Sequence, residues 1–213
     1  MLHTETIERT TLKLLTDIMQ DEHFNGFHLA GGTALSLYLG HRKSIDLDLF
    51  TKNDFNTSQF SDYLIKEYDF KESYRAKNTL KGIIGNIKID CIAHKYENID
   101  PIYTADNIRL YGMKDIAAMK LNAIADNGTR LKDFIDIACL STQISLSDML
   151  ESYQKKYPNT NAITALRALT YYKDIIKEPI MLIKGNYKWD FIETRIGDMI
   201  KKDTATFTSF PFK

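Results

Sequence analysis

The chain has 213 residues, enough for one hydrophobic core or for a catalytic domain with a helical appendage. Hydrophobic residues make up 44% and charged residues 26%, which describes an ordinary globular protein. Lysine plus arginine equals aspartate plus glutamate at 28 each. The whole-chain charge therefore gives no indication of nucleic-acid binding, and any contact with a polyanion requires a local basic patch.

Cysteine content argues against a disulfide or a cysteine metal site, and hydropathy argues against a membrane protein. Cys91 and Cys139 are the only cysteines and lie in apolar surroundings without CxxC spacing, which predicts buried free thiols. The N-terminal residues MLHTETIERT lack the apolar stretch of a signal peptide. No apolar run approaches the roughly 18 residues needed to cross a bilayer. We therefore expect a cytoplasmic protein with no membrane partner.

The first two predicted elements are a helix and a strand. Residues 4–20 place apolar side chains at helical spacing, which predicts an amphipathic packing helix. Residues 27–30 form a short apolar run bounded by glycines, which is typical of a buried strand. The helix carries no obvious chemistry, so we expect it to serve as a packing element.

A glycine pair comes directly after the strand. Gly31 and Gly32 permit backbone conformations closed to other residues, and Thr33 occupies the position expected of a helix N-cap. Residues 34–39 then form a short apolar helix that ends at Gly40. The unpaired N–H groups at the start of such a helix predict an anion site, and phosphate is the obvious ligand.

Residues 45–50 alternate with period two and predict a strand. Asp46 and Asp48 should project from one face, and Ile45, Leu47 and Leu49 from the other. Two carboxylates about 7 Å apart along a strand can converge on one metal ion. Oxygen ligands of this kind suit Mg²⁺ or Mn²⁺, which commonly bind substrate phosphates as well. The alternative for Asp-x-Asp is a solvated sheet edge.

A third acid lies in a predicted hairpin. Residues 57–68 predict a helix, and residues 71–95 are β-rich, with Gly85-Asn86 as the turn between two strands. The alternation sets Asp90 on the face opposite its apolar neighbours, as for Asp46 and Asp48. The alternative is an exposed strand acid, because Lys88 shares its face.

The C-terminal half is predicted to be helical. A polar connection over residues 96–112, with a short strand at 108–110, suggests a boundary between a core, 1–111, and a helical domain, 112–213. Further helices are predicted over residues 146–156, 162–172 and 189–201, the first opened by a Ser145-x-x-Asp148 capping box.

Two neighbouring helices in this half carry further charged residues. Lys120 lies within or beside an apolar stripe of the first helix, where a lysine ordinarily extends to water. Asp133 and Asp136 are i, i+3 neighbours on the second helix. An i, i+4 surface ion pair between Lys132 and Asp136 is the structural alternative.

The order of these motifs resembles a known family. A glycine pair, a spacer and Asp-x-Asp resemble the nucleotidyltransferase superfamily, which is polymerase-beta-like. Gly-Gly-Thr-Ala-Leu followed by Arg42-x-Ser44-x-Asp46-Leu-Asp48-Leu-Phe50 resembles the AbiEii/AbiGii toxin branch, and the resemblance covers most of residues 27–140. It implies an α+β fold: a nucleotidyltransferase-like mixed β-sheet with flanking helices, followed by a C-terminal helical bundle.

The resemblance also implies a site. Metal ligands would be Asp46, Asp48 and Asp90, which would bind Mg²⁺ or Mn²⁺ as in two-metal enzymes. Lys120 would complete the catalytic set with Asp133 or Asp136; the sequence does not choose between these acids, although Asp133 is slightly favoured as the structural one. Contacts to the NTP are expected from Gly31, Gly32, Thr33, Arg42 and Ser44, with a solvated basic loop as the alternative for Arg42.

The implied activity is transfer of a nucleoside monophosphate from an NTP to an acceptor hydroxyl, with release of pyrophosphate. The protein would be the toxin of an AbiE-like type IV toxin–antitoxin and phage-defence system, with a cognate antitoxin as partner. Candidate acceptors are tRNA and other RNA. Two alternatives remain open: a non-catalytic nucleotide- or metal-binding regulatory module, and a small-molecule nucleotidyltransferase of the antibiotic-modifying type.

Overall fold

A computed structural model describes residues 1–212. The chain forms two compact units. The first contains residues 1–38, 44–97 and 102–111, and the second contains residues 39–43, 98–101 and the chain from Gly112 onward. The predicted division into residues 1–111 and 112–213 stays a prediction. Two short segments of the N-terminal half, residues 39–43 and 98–101, group with the second unit.

The first unit is built on a seven-stranded mixed sheet in the order β3-β4-β5-β2-β1-β7-β6. The pairs β2–β5 and β1–β7 are parallel and the other four are antiparallel. The predicted α+β class is confirmed. The strands are β1 (His28–Ala30), β2 (Leu47–Thr51), β3 (Lys71–Ala76), β4 (Thr79–Ile84), β5 (Ile87–Ala93), β6 (Tyr103–Ala105) and β7 (Ile108–Leu110).

Three helices accompany this sheet: α1 (Arg9–Gln20), α2 (Gly31–Leu39) and α3 (Thr57–Tyr68). The buried residues of α1 recur at helical spacing, as an amphipathic helix requires. The side chain of Asn56 accepts hydrogen bonds from two N–H groups of the first turn of α3. This cap explains why α3 begins where the periodicity predicts.

Arg109 on β7 ties the end of α1 to the sheet. Its guanidinium donates to the carbonyl oxygens of Met19 at 2.7 Å and Phe24 at 2.9 Å, with Phe27 at 3.4 Å. On the same strand, Leu110 pairs with Leu29 of β1. A residue of β7 therefore satisfies carbonyl groups of three residues that lie 82 to 90 positions earlier in the sequence.

The glycine-rich stretch differs from its prediction in two places. Helix α2 begins at Gly31, so Thr33 lies inside the first turn and is not the N-cap. Gly31 has a positive φ of +67°, which lets the chain pass directly from β1 into the helix. Strand β2 begins at Leu47, and Ile45 is 55% exposed. The strand starts later than predicted because the preceding N–H group, of Ser44, donates to the carbonyl oxygen of Thr6, which lies outside the sheet.

Up to residue 212, the second unit contains five α-helices: α4 (Met113–Asp126), α5 (Leu131–Leu140), α6 (Leu146–Lys156), α7 (Ala162–Leu169) and α8 (Trp189–Lys201). The predicted capping box is present at α6, where Ser145 Oγ accepts from the N–H of Asp148 and donates to its carboxylate. Helix α7 is shorter than predicted, because the hydroxyl and the N–H of Thr170 both bond back to Arg167 O and close the last turn.

Two expectations about the chain as a whole concern its cysteines and its hydropathy. Cys91 and Cys139 are buried free thiols, as predicted. Burial raises the pKa of both thiols, which keeps them protonated and unreactive. Within residues 1–212, none of the helices combines the length and the apolar character that a membrane span requires.

Candidate active site

Asp48 and Asp90 are register partners on the parallel strands β2 and β5. Neighbouring strands lie about 4.8 Å apart, and residues paired in register project to the same face. The two carboxylates therefore lie side by side on one face of the sheet. The alternation of each strand predicts this convergence, although the pairing itself requires the tertiary fold.

Gly31 lies directly against the carboxylate of Asp48. A Cβ atom added to Gly31 would be 1.9 Å from Asp48 Oδ2 and 2.8 Å from its Cγ, so only glycine fits. Strand β1 pairs with β2 so that Ala30 opposes Asp48, which brings the start of α2 to this acid. The first turn of a helix and an acidic strand residue are thus adjacent within the first unit.

Asp90 is buried, and its two oxygens have different surroundings. Oδ2 accepts a hydrogen bond from Lys81 Nζ at 2.8 Å, with Lys88 Nζ at 3.8 Å. Oδ1 has no hydrogen-bond partner among the described residues. The alternative of an exposed strand acid is therefore wrong, since Asp90 is only 6% exposed.

Lys81 is a neighbour of the site that the motifs did not predict, although the signal was available. In the hairpin closed by Gly85 and Asn86, Ile84 pairs with Ile87, and counting outward pairs Lys81 with Asp90. A register drawn from the predicted turn would have placed this lysine opposite the acid.

Asp46 precedes β2 and is half-buried. Its backbone oxygen accepts a hydrogen bond from the Thr33 hydroxyl, and Thr33 Oγ1 lies 2.8 Å from Ser44 Oγ. These bonds fix the loop that carries Asp46 to the first turn of α2. Contacts of Thr33, Ser44 and Gly32 with a nucleotide stay predictions.

Of the three predicted metal ligands, Asp48 and Asp90 lie side by side, and no group of three ligands is formed in the described chain. Within residues 1–212, no group of three His, Cys, Asp or Glu side chains is arranged to hold a metal ion. Asp48 and Asp90 nevertheless fit a hard divalent cation, because both supply carboxylate oxygens on one face and Asp90 Oδ1 is buried without a partner among these residues. A ligand role for Asp46 stays a prediction.

A buried charge cluster lies in the second unit. Asp136 on α5 is fully buried and accepts hydrogen bonds from His41 Nε2 at 2.9 Å, Arg42 Nε at 2.7 Å and Arg42 Nη2 at 2.8 Å. Lys120 Nζ lies 2.7 Å from Asp136 Oδ2 and 2.7 Å from Asp133 Oδ1. Two acids and two bases therefore neutralise one another in the interior.

These contacts correct three expectations. Lys120 is 6% exposed and paired with two acids, so it does not extend to water. Asp136 bonds to His41, Arg42 and Lys120 and does not form the surface pair with Lys132. Arg42 is 4% exposed, so the solvated basic loop is also wrong. Each side chain has a long-range partner that sequence spacing does not reveal.

The cluster holds its members in defined charge states. Burial would raise the pKa of Asp136, but the charges of Arg42 and Lys120 prevail and hold that pKa well below its usual range. Burial would lower the pKa of Lys120 and Arg42, but the paired acids raise both. Burial lowers the pKa of His41, and its Nδ1 has no hydrogen-bond partner in the part of the chain that the structure describes.

Comparison with known proteins gives the family. Residues 13–79 match the family model described as "Nucleotidyl transferase AbiEii toxin, Type IV TA system". The uncharacterized protein aq_aa25 of Aquifex aeolicus (strain VF5) is 32% identical over 160 residues, which are 72% of this chain and 77% of that protein. The chain belongs to the AbiEii nucleotidyl transferase toxin family. It is accordingly a nucleotidyltransferase.

A solved structure has a similar fold. A crystal structure of a protein from H. pylori, proposed to be a nucleotidyltransferase, is similar with a TM-score of 0.56 at 15% identity. The match covers 92% of this chain and 96% of that one. The likeness concerns the fold alone.

Proposed function

We propose that this AbiEii-family nucleotidyltransferase transfers a nucleoside monophosphate from an NTP to an acceptor hydroxyl in a divalent-metal-dependent reaction. The observation that carries the proposal is the register pairing of Asp48 with Asp90, beside the α2 start at Gly31. The unpartnered Oδ1 of Asp90 supports it, because a buried carboxylate oxygen without a donor among the described residues suits a cation.

In the proposed reaction, the acceptor oxygen attacks the α-phosphorus, a new P–O bond forms, and the bond to the pyrophosphate oxygen breaks. When bound, Mg²⁺ or Mn²⁺ supplies charge neutralisation at the triphosphate and favours loss of the acceptor proton. Asp48 and Asp90 hold that cation, with Asp46 as the proposed third ligand. The N–H groups at Gly31 and Gly32 orient phosphate oxygens.

The charged cluster of the second unit is proposed to assist the donor. Lys120 is the candidate for reducing the charge on leaving pyrophosphate, and Asp133 and Asp136 hold its ammonium group in place. Arg42 remains a candidate phosphate contact together with Thr33 and Ser44. In that role Arg42 would have to exchange its bonds to Asp136 for bonds to the nucleotide.

The family description names a type IV toxin–antitoxin system, and the rest of the biological setting is proposed from the sequence resemblance. We propose that the protein is the toxin of an AbiE-like type IV toxin–antitoxin system active in phage defence, with an antitoxin encoded nearby. The proposed acceptor is RNA, with tRNA as the first candidate. A cytoplasmic location belongs to this proposal, because NTPs and RNA are available there.

The test is a labelling experiment. The protein is incubated with Mg²⁺, each α-labelled NTP and total cellular RNA, and Asp48→Asn should lower incorporation at least about 100-fold. The matched control is Asp62→Asn, an exposed acid on α3, which should label as the wild type does. Chelation of the metal should abolish incorporation, and added Mg²⁺ should restore it. Equal labelling by Asp48→Asn would overturn the metal-dependent proposal.

The same experiment separates the alternatives. NTP binding without a labelled product would indicate a regulatory module. Labelling of a small molecule in place of RNA would indicate the antibiotic-modifying type. Absence of a neighbouring gene for a small winged-helix-type protein would argue against the toxin–antitoxin setting and would leave the chemistry unaffected.

A further inference from the structure

The second unit contains an aromatic cavity that has no role in the proposed donor chemistry. Its volume is about 400 Å³, within the range of small-ligand sites. Three of its lining residues are aromatic and one is cationic. The lining consists of Leu131, Tyr172, Ile175, Lys177, Tyr187 and Trp189.

The aromatic walls are held in place before any ligand arrives. Trp189 Nε1 donates to Glu193 Oε2 at 2.9 Å, and the Tyr187 hydroxyl donates to Glu178 O at 3.2 Å. The rings of Tyr172 and Trp189 meet edge to face, with centroids 5.1 Å apart and an interplanar angle of 73°. All three residues are half-buried, so part of each remains accessible. Fixed aromatic rings cost little entropy when a planar ligand binds.

Exposed lysines surround the cavity together with acids. Residues 173–193 contain four exposed lysines, at 173, 177, 184 and 188, and four acids, at 174, 178, 190 and 193. The backbone of Arg130 pairs with Ile176, and the Arg130 side chain is 55% exposed with its Nε 3.6 Å from Asp133. The Glu193 carboxylate accepts the indole N–H of Trp189. Burial raises the pKa of Tyr172, and the charge of Glu193 contributes to that rise. Lys177 in the lining and the neighbouring Arg130 are therefore the cations available to a polyanion at this cavity.

We propose that this cavity binds one nucleobase of a single-stranded RNA, with the base against the Tyr172, Tyr187 and Trp189 rings and the flanking phosphates on Lys177 and Arg130. Stacking rings with adjacent cations are the features by which proteins bind unpaired RNA, and a purely apolar partner would leave the lysines unused. The inference rests on the proposed function in one respect, since it takes RNA to be the acceptor class.

Trp189 makes the cavity directly observable. It is the single tryptophan of the chain, so intrinsic tryptophan fluorescence reports on this site alone. Hexaadenylate RNA should quench that fluorescence with saturation, and AMP should bind at least about tenfold more weakly because it lacks the flanking phosphates. Ribose 5-phosphate, which has no base, should not quench. Quenching by ribose 5-phosphate, or AMP affinity equal to that of hexaadenylate, would overturn the assignment to an RNA strand.

Variants test the two components of the cavity separately. Tyr187→Leu should weaken hexaadenylate binding about tenfold, because one stacking ring is lost. Lys177→Ala should weaken it about threefold and reduce its salt dependence. Lys184→Ala is the matched control, an exposed lysine of the same segment outside the lining, and should bind as the wild type does. Unchanged affinity in Lys177→Ala, which alters only an exposed side chain, would overturn the proposal even if Tyr187→Leu proved unstable.

The failure of this proposal can be told apart from failure of the proposed function. Asp48→Asn should lose RNA labelling while hexaadenylate still quenches Trp189 fluorescence, because Asp48 does not line the cavity. If hexaadenylate quenches the fluorescence but the wild type labels no RNA, the proposed reaction is contradicted and the proposed RNA site is supported. If the wild type labels RNA but hexaadenylate does not quench the fluorescence, the proposed RNA site is contradicted and the proposed reaction is supported.

Discussion

Lys81 lies directly opposite Asp90 in the β4–β5 pair, and its Nζ is 2.8 Å from Asp90 Oδ2. A cation bound at Asp48 and Asp90 would meet this ammonium group as a neighbour of like charge. Lys81→Met should therefore tighten Mn²⁺ binding by about tenfold, which corresponds to about 1.4 kcal/mol. Calorimetric titration of Mn²⁺ without NTP measures this directly.

Lys88 gives the graded comparison for this prediction. Its Nζ is 3.8 Å from Asp90 Oδ2 and its side chain is 56% exposed, so Lys88→Met should tighten Mn²⁺ binding less than Lys81→Met. An unchanged Mn²⁺ affinity in Lys81→Met would show that the cation does not use Asp90.

The close approach of Gly31 to Asp48 predicts a large effect of adding one methyl group. Gly31→Ala should displace the Asp48 carboxylate and lower nucleotidyl transfer at least about 100-fold, in addition to the cost of a left-handed alanine. Gly85→Ala is a matched control, because Gly85 also has positive φ, at +59°, but no atom within 4 Å of the added Cβ. Gly85→Ala should cost about 1–2 kcal/mol of stability and retain activity. Equal activity losses in both variants would attribute the effect to backbone strain alone.

Asp136 is predicted to be the anchor of the second unit. Asp136→Ala leaves Arg42 buried without its acid and removes one of two acids from Lys120, which should lower the free energy of unfolding by about 3–5 kcal/mol. Asp126→Asn, an exposed acid at the end of α4, should change it by less than about 0.5 kcal/mol. Urea denaturation compares the two, and a change below about 1 kcal/mol for Asp136→Ala would contradict the anchoring role.

His41 predicts a pH dependence of stability. Burial lowers its pKa, the contacts with Asp136 oppose that shift, and the charges of Arg42 and Lys120 reinforce it. Below a pH of about 6.5 the unfolded state therefore binds a proton that the folded state does not, so stability falls as the pH falls, by up to about 1.4 kcal/mol per pH unit.

Two histidines contribute to this slope. Burial and Arg109 also lower the pKa of His28, so His41→Gln should remove part of the slope and His28→Gln another part. Urea denaturation at several pH values between about 5 and 7.5 measures each contribution. A His41→Gln protein with the full wild-type slope would contradict the assignment.

Local patterns predicted most of the fold. Periodicity located α3, α6 and α8 at their observed bounds, since each is an amphipathic helix and α6 also has a side-chain cap. Strand alternation and the Gly85-Asn86 turn located β4 and β5. The short β6, only Tyr103–Ala105, was missed because three residues are too few to show an alternation.

The candidate site could be predicted only in part. The identity of Asp48 and Asp90 came from motifs, but their register partnership depends on a parallel pairing that no local signal encodes. Asp136 lies 95 residues from His41 and 94 from Arg42, and nothing in the spacing of these residues reveals the contact. Lys120 was expected to extend to water because the two acids that neutralise it are on another helix.

The position of β7 in the chain bears on how the protein can fold during synthesis. Strand β1 lies between β2 and β7, and Arg109 supplies the donors for Met19 and Phe24. A nascent chain that has not yet exposed residue 109 therefore has β1 with an unpaired edge and two carbonyl groups without these donors. Emergence of β7 from the ribosome closes that edge, so the sheet is completed only after residues 108–110 have left the exit tunnel.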